Sequence, residues 1–343
     1  MNPKTKTSNM GEFDLIERYF KAPARAMQTQ TGVNAGVNLG IGDDCALLLP
    51  TAGMQLAVSS DMLVEGRHFL STVDPVKLGH KALAVNLSDL AACGAKPLAF
   101  TLALSLPKVD EVWLAGFSKG LLALANEHHC TLIGGDTTQG PLNICITVFG
   151  EVPQGQALLR SGAQVGDDIY VSGHVGDARL ALEVFRGHID LPADDFKHAR
   201  ARMETPTPRV ALGMALRGIA TSCIDISDGM VGDLGHILRA SNCGALLDTA
   251  IAINLIATKA INTPNRGQFY INNALEYVLA GGDDYELLFT APSKQRQAVL
   301  AAASSADTKI TRIGQIQAEA DLRLVDANGH MVPNDFASFD HFK

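Results

Sequence analysis

The sequence predicts a mixed α/β (α+β) protein organised as two domains, and three observations lead there. A chain of 343 residues is long enough for two cores of ordinary size. Short apolar runs bounded by Gly, Pro and Asp alternate with longer Ala/Leu stretches of helical period. The alternation pauses at a linker carrying Pro153, Gly155 and Gly162 and restarts at Gly166. The boundary is therefore placed near Glu151, giving a polar tail over residues 1–10, a first domain over 11–150 and a second over 151–343.

The elements of the first domain follow in order. The spacing of Phe13, Ile16, Tyr19 and Phe20 predicts an amphipathic helix, and the Gln, Thr, Asn and Gly of residues 27–38 predict a mobile loop. Gly42-Asp43-Asp44 reads as a tight turn leading into the apolar strand Cys45–Leu49. Leu56–Val58 is a second strand, expected to end at Ser59-Ser60-Asp61. In His80–Cys93, Leu83, Leu87 and Leu90 recur at helical spacing among small residues and Gly94 stands where a helix stops, which predicts a helix close to fully buried. A strand over Leu98–Leu106 and a helix over Val109–Glu127 come next. The buried strand Thr131–Ile133 is expected to turn at Gly134-Gly135-Asp136-Thr137-Thr138, and Leu142–Gly150 closes the domain.

The second domain opens with a strand entering the turn at Gly173, then helices over Asp177–Phe185 and Arg209–Arg217. Cys223–Gly229 is an acidic turn, followed by a helix over Asp233–Ser241 with Leu234, Ile237 and Leu238 inward. A helix over Asn272–Ala280 runs into Gly281-Gly282-Asp283-Asp284-Tyr285-Glu286. A helix near Lys294–Ser304, a strand around Thr311–Ile316 and a hairpin through Asn328-Gly329 complete the chain.

Composition narrows the function. Lys plus Arg number 28 against 36 Asp plus Glu, a net charge of -8 that gives no footprint for nucleic acid. An acidic protein still binds a polyanion such as ATP when divalent cations lie between the two sets of charge. The six cysteines are scattered, without CxxC or zinc-type spacing, and read as free thiols of a reducing compartment. No apolar leader or membrane-spanning stretch is evident, so a soluble, cytoplasmic protein is expected, with no membrane partner.

The chemistry in view is carboxylates, hydroxyls and glycine turns. Asp89 sits in the apolar helix with no Arg within a turn, so it faces either a cation from elsewhere or a hydrogen-bonded core position. Asp43-Asp44 and Ser59-Ser60-Asp61 offer hard oxygen donors of the kind Mg²⁺ uses. The Gly134-Gly135-Asp136 stretch lets backbone N–H groups approach phosphate closely. Asp225, Ser227 and Asp228 suit a second Mg²⁺ site, their spacing being wrong for an EF-hand. The sequence has no GxxxxGK[ST], GxGxxG, HRD/DFG, GxSxG or HExxH motif.

Taken in order, Gly42-Asp43-Asp44, Ser60-Asp61 with Val64, Gly66 and His68-Phe69, Asn86-Leu87-Ser88-Asp89-Leu90-Ala91-Ala92, Gly134-Gly135-Asp136-Thr137-Thr138, Arg160-Ser161-Gly162-Ala163, Asp225-Ile226-Ser227-Asp228-Gly229 and Asp284-Tyr285-Glu286-Leu287 resemble the thiamine-monophosphate kinase family over almost the whole chain. The resemblance implies the two-domain fold shared with aminoimidazole ribonucleotide synthetase and selenophosphate synthetase, and a homodimer whose first domains close a β-barrel together. It implies ATP as co-substrate, several Mg²⁺ ions and transfer of the γ-phosphoryl group to thiamine monophosphate. It assigns Asp44, Ser59, Ser60, Asp61, Asp89, Asp136, Asp225 and Asp228 to Mg²⁺, Gly135, Asp136, Arg160 and Ser227 to ATP, and His68, Asp283 and Phe336 to thiamine phosphate. No residue is assigned as general base. Two other readings stay open: another ATP-dependent enzyme of the same superfamily, of selenophosphate synthetase or cyclo-ligase type, and a non-catalytic metal- and nucleotide-binding module.

Overall fold

The computed structural model describes residues 11–31, 36–258 and 267–339, so the polar tail expected over 1–10 lies outside the described residues. The chain divides into two units, one taking the chain up to Asn86 together with Pro97–Glu151, the other taking Leu87–Lys96 and everything from Val152 onward.

The first unit starts with helix α1 (Glu12–Ile16), a π-helical turn (Glu17–Lys21) and helix α2 (Ala22–Thr31). Helix therefore extends into residues expected to be a loop. The Ala-rich run around Ala22, Ala24 and Ala26 favours it, and Pro23 comes just after the π-helical turn. Strands β1 (Val37–Leu39) and β2 (Leu47–Leu48) pair antiparallel across the Gly42-Asp43-Asp44 loop. Strand β3 (Met54–Val64), helix α3 (Pro75–Ala92), strand β4 (Lys96–Leu106), helix α4 (Glu111–Glu127), strand β5 (Thr131–Gln139) and strand β6 (Asn143–Pro153) follow. The sheet runs β3-β6-β4-β5, with β4 and β5 parallel.

A strand end and a turn expected from sequence both lie within strands instead. Ser59, Ser60 and Asp61 lie inside β3, which continues to Val64 by alternating exposed and more buried positions. Gly134-Gly135-Asp136 lies inside β5, because β4 offers a parallel partner from Thr101 to Leu106. A bulge-like shift between Phe100 and Thr101 accommodates Gly135 at φ +146°, where a Cβ would stand 1.8 Å from the Leu102 carbonyl oxygen. Only glycine fits there.

The buried layer of this unit includes Leu78 and Leu83 on α3, Phe100 and Leu104 on β4, Leu114, Phe117 and Leu121 on α4, and Ile144 on β6. Asp110 caps α4, accepting from the Val112 and Trp113 N–H groups at 3.1 and 3.0 Å. Helices α3 and α4 touch backbone to backbone: a Cβ on Gly79 would stand 2.0 Å from the Phe117 carbonyl oxygen, and one on Gly120 1.8 Å from that of Val76.

The second unit holds the last turns of α3. Gly94 N–H bonds Ala91 C=O at 2.9 Å and Ala95 N–H bonds Leu90 C=O at 2.8 Å, with Gly94 at φ +68°, a Schellman stop at the glycine that the sequence singles out. Then come strand β7 (Asp167–Ser172), helices α5 (Asp177–Phe185), α6 (Ala193–Glu204) and α7 (Val210–Ala215), strand β8 (Ser222–Asp225), helix α8 (Met230–Ser241), strand β9 (Gly244–Asp248), the short helix α9 (Thr249–Ala252), helix α10 (Gly267–Ala280), strand β10 (Leu287–Pro292), helix α11 (Arg296–Ser305) and strands β11 (Ile310–Gln317), β12 (Leu322–Val325) and β13 (Met331–Val332). They build a seven-stranded sheet ordered β13-β12-β9-β11-β7-β10-β8. Its pairings are antiparallel except β9 with β12. Ile169, Val171, Ile224, Leu234, Ile237, Val278, Leu288 and Ile313 fill the core. Among the described residues, no helix is long and apolar enough to cross a membrane.

The helix crossing in the first unit yields a test. Gly120→Ala forces a methyl into the Val76 carbonyl and is expected to lower stability by about 1–3 kcal/mol, read as a lower urea midpoint with unchanged slope.

Candidate functional site

In the first unit, a cleft of about 680 Å³ is lined by Asp43, Asp44, Gly134, Gly135 and Asp136, with Phe13 and Lys21 on the helical side. The loop before β2 supplies the paired carboxylates, and Asp44 N–H donates to Asp43 Oδ1 at 2.9 Å. Strand β5 is the outermost strand of its sheet, so one row of its backbone groups is not used by a neighbouring strand. A Cβ built on Gly134 meets nothing within 4 Å, which marks open space beside the backbone. Asp44 and Asp136, remote in sequence, thus share one cleft with bare glycine backbone, an arrangement suited to phosphate oxygens and their cations.

Ser59, Ser60, Asp61 and His68 do not line that cleft. Ser60 Oγ bonds the Ile146 carbonyl at 3.1 Å and shares a bond with Thr147 Oγ1 at 3.0 Å, tying β3 to β6. Asp61 N–H donates to Asn86 Oδ1 at 3.1 Å, while Asn86 Nδ2 donates to the Ala82 carbonyl at 3.0 Å. Asn86 is therefore a buried strut between α3 and β3. His68 Nδ1 accepts from Val64 N–H at 3.0 Å, so the neutral ring carries its proton on Nε2.

In the second unit the acidic residues gather around the turn after β8. Asp225 is buried and its Oδ2 accepts from Ser88 Oγ at 2.7 Å. Asp89, next in sequence, is half-buried, and its charge joins burial in pushing the Cys93 thiol up. Asp233 in the first turn of α8 reaches back, its Oδ2 accepting from Ser227 N–H at 3.1 Å and Asp228 N–H at 3.2 Å. Asp283 N–H donates to the Ser227 carbonyl at 2.7 Å, bringing Asp283 onto the same turn. Arg160 is exposed, on a linker held by Ser241 Oγ, which accepts from Gly162 and Ala163 N–H at 3.1 and 3.2 Å. Phe336 is half-buried against the core of this unit.

Among the described residues, no three His, Cys, Asp or Glu side chains are gathered around a point where they would hold one metal ion. Mg²⁺ does not require such a cage, since it keeps waters and takes one or two carboxylates together with substrate phosphates. The donors present, carboxylates beside open glycine backbone in the first unit and the Asp225–Asp228 turn in the second, are hard oxygens that fit it.

Asp233 was not among the residues singled out from sequence, although an acid in the first turn of a helix, four residues past a glycine, is a recognisable back-reaching position. The pairing of Glu286 with Arg209 and Arg202 gives no such signal, since these partners lie 77 and 84 residues away. Burial, and then the nearby Asp228, raise the Asp233 carboxyl to about 7, against the pull of its amide bonds. A carboxyl raised on folding binds its proton more tightly in the folded state, so its contribution to stability falls as pH rises from the ordinary value of 3.8 to about 7. Asp233→Asn keeps an acceptor and removes the titration. In metal-free buffer the melting temperature of the variant, relative to wild type, is expected to rise across that window.

Comparison with known proteins places this geometry. The chain matches the family models "AIR synthase related protein, N-terminal domain" over residues 42–152 and "AIR synthase related protein, C-terminal domain" over residues 164–327. It is 45% identical over 333 residues to thiamine-monophosphate kinase of Escherichia coli strain K12, covering 97% of this chain and 98% of that one. With the Haemophilus influenzae enzyme of that name it shares 43% over 340 residues, 97% and 98% of the two chains. The crystal structure of thiamine-monophosphate kinase from Stenotrophomonas maltophilia K279a superposes with a TM-score of 0.82 at 43% identity, covering 92% of this chain and 98% of that one. The ordered motifs, the two-unit fold and near-full-length identity agree: the chain belongs to the thiamine-monophosphate kinase family.

Proposed function

We propose that the protein transfers the γ-phosphoryl group of ATP to the phosphate of thiamine monophosphate, giving thiamine diphosphate and ADP. The observation that carries this is 45% identity along 97% of the chain to an enzyme named for that substrate. The acceptor is a phosphate monoester whose second pKa is ~6, so its attacking oxygen is already ionised near neutral pH. A general base is unnecessary, and the site's chemistry is positioning and charge compensation.

Asp44, Ser59, Ser60, Asp61, Asp89, Asp136, Asp225 and Asp228 are the proposed Mg²⁺ ligands; when bound, Mg²⁺ offsets the negative charge of the phosphates. Gly135 and Asp136 on β5, with Arg160 and Ser227, hold ATP. His68, Asp283 and Phe336 hold thiamine phosphate. Two unit charges 4 Å apart interact by ~4 kcal/mol at an effective dielectric of about 20, so carboxylates left uncompensated beside ATP would repel it. The six free cysteines agree with work in a reducing cytoplasm.

We also propose a homodimer formed through β3. That strand is outermost in its sheet and exposes Leu56, Val58 and Met62 in a row, at 41%, 56% and 53% of their surface. Light scattering is expected to give twice the chain mass for wild type and the monomer mass for Val58→Asp; a monomeric wild type overturns the proposal.

The activity test is direct. Purified protein with Mg²⁺ and ATP is expected to convert thiamine monophosphate to thiamine diphosphate with equimolar ADP, and to leave free thiamine untouched. ATP binding without turnover on the monophosphate would support the non-catalytic reading instead. Asp89→Asn is expected to lose roughly 10²-fold or more in kcat with an unchanged melting temperature, since a metal ligand has been removed rather than a packing residue.

A further inference from the structure

The loop before β10 is built under strain. Gly282, Asp283 and Tyr285 all have positive φ, at +70°, +63° and +52°. A non-glycine residue in the left-handed region costs roughly 1–2 kcal/mol, and such strain persists only where the surroundings over-determine it. Exposure alternates along the loop: Asp284 and Glu286 are buried, whereas Asp283 and Tyr285 are half-exposed.

The buried pair are pegs. Glu286, fully buried, meets Arg209 through Nε–Oε2 and Nη2–Oε1 bonds of 2.6 Å each, Arg202 Nη2 at 2.6 Å and Ser172 Oγ at 2.5 Å. Ser172 Oγ in turn accepts from Leu287 N–H at 2.8 Å. Gly173 is glycine because a Cβ there would stand 2.0 Å from Glu286 Oε1. Asp284 accepts from Gly176 N–H through Oδ1 at 2.9 Å, and among the described residues its Oδ2 has no hydrogen-bond partner. Backbone bonds finish the cradle, Tyr285 N–H to Ile226 C=O and Ile226 N–H to Glu286 C=O, both 2.8 Å.

Two arginines hold the fully buried Glu286, and together with the Asp284 peg this clamp fixes the strained loop from which Asp283, just ahead of the first peg, and Tyr285, between the two, face outward. We propose that Glu286, clamped by Arg202, Arg209 and Ser172, is the positioning residue that holds the loop with Asp283 in its left-handed conformation for recognition of thiamine monophosphate rather than ATP. The clamp does not touch substrate. This inference rests on the assignment of Asp283 to thiamine phosphate made above.

The test uses the full-length protein and separates the two Michaelis constants. Arg202→Lys keeps the charge and loses the planar fork, and Ser172→Ala removes one peg contact. Both are expected to raise KM for thiamine monophosphate about tenfold, leaving KM for ATP within twofold and the Mg²⁺ dependence unchanged. Glu286→Gln is expected to show a larger rise; should it fail to fold, the two milder variants carry the measurement. Asp283→Ala serves as the reference. A raised KM in Asp283→Ala with unchanged values in Arg202→Lys and Ser172→Ala overturns the clamp alone. An unchanged KM in Asp283→Ala overturns the role of Asp283 and the clamp with it. Equal rises for both substrates, tracking lost thermal stability, would make the bridge merely structural and overturn the proposal.

Discussion

Taking a carboxylate out of water costs several kcal/mol unless the charge is met, and the acidic residues of this chain are arranged around that penalty. Most of the buried acids have a distinct answer, Asp284 being met through one oxygen alone among the described residues. Asp225 takes the Ser88 hydroxyl, Asp233 takes two backbone amides, Glu286 takes two guanidinium groups and Asp168 takes Arg296 and Arg312. Asp44 and Asp136 instead remain exposed on the wall of a cleft, the place proposed for a phosphorylated ligand and its cations. Acids bonded inside the fold and acids left exposed on a cleft thus form two distinct sets.

The same rule accounts for the rigidity of the turn after β8. Its amides are held by Asp233 from one side, and the loop before β10 is hydrogen-bonded onto its carbonyls from the other. Ser227, Asp228 and Asp283 are thereby fixed on backbone whose own hydrogen bonds are spent internally. Residues on such backbone would lose little further freedom on engaging a ligand, which is where preorganisation contributes to affinity.

How much of this was legible in the sequence depends on whether the signal is local. Helix α3 was readable from Leu83, Leu87, Leu90 and Gly94, because helical period and a glycine stop are written in consecutive residues. Asp89 stood out there for the same reason. The ordered acidic and glycine motifs identified the family, which the full-length relatives bear out. The strand character of Gly134–Thr138 was not legible, since it depends on β4 lying alongside. Helix α6 left no trace because few of its residues are buried, chiefly Ala199 and Glu204, and its sequence is dominated by charge. The cleft shared by Asp44 and Asp136 and the Glu286 clamp join residues scores of positions apart, and only folding brings them together.

The partition of the chain has a further meaning for biosynthesis. The ten residues Leu87–Lys96 belong to the second unit yet are translated ahead of most of the sheet of the first. They bring Ser88 to Asp225 and the Ala91 carbonyl against Gly213, where a Cβ would stand 2.0 Å away. The second unit is thus discontinuous in sequence, its first ten residues falling inside the stretch of chain that builds the first. A fragment beginning at Val152 would leave Asp225 without the Ser88 hydroxyl and an open slot beside Gly213, and in synthesis these contacts can form only after more than a hundred residues beyond Lys96 have emerged.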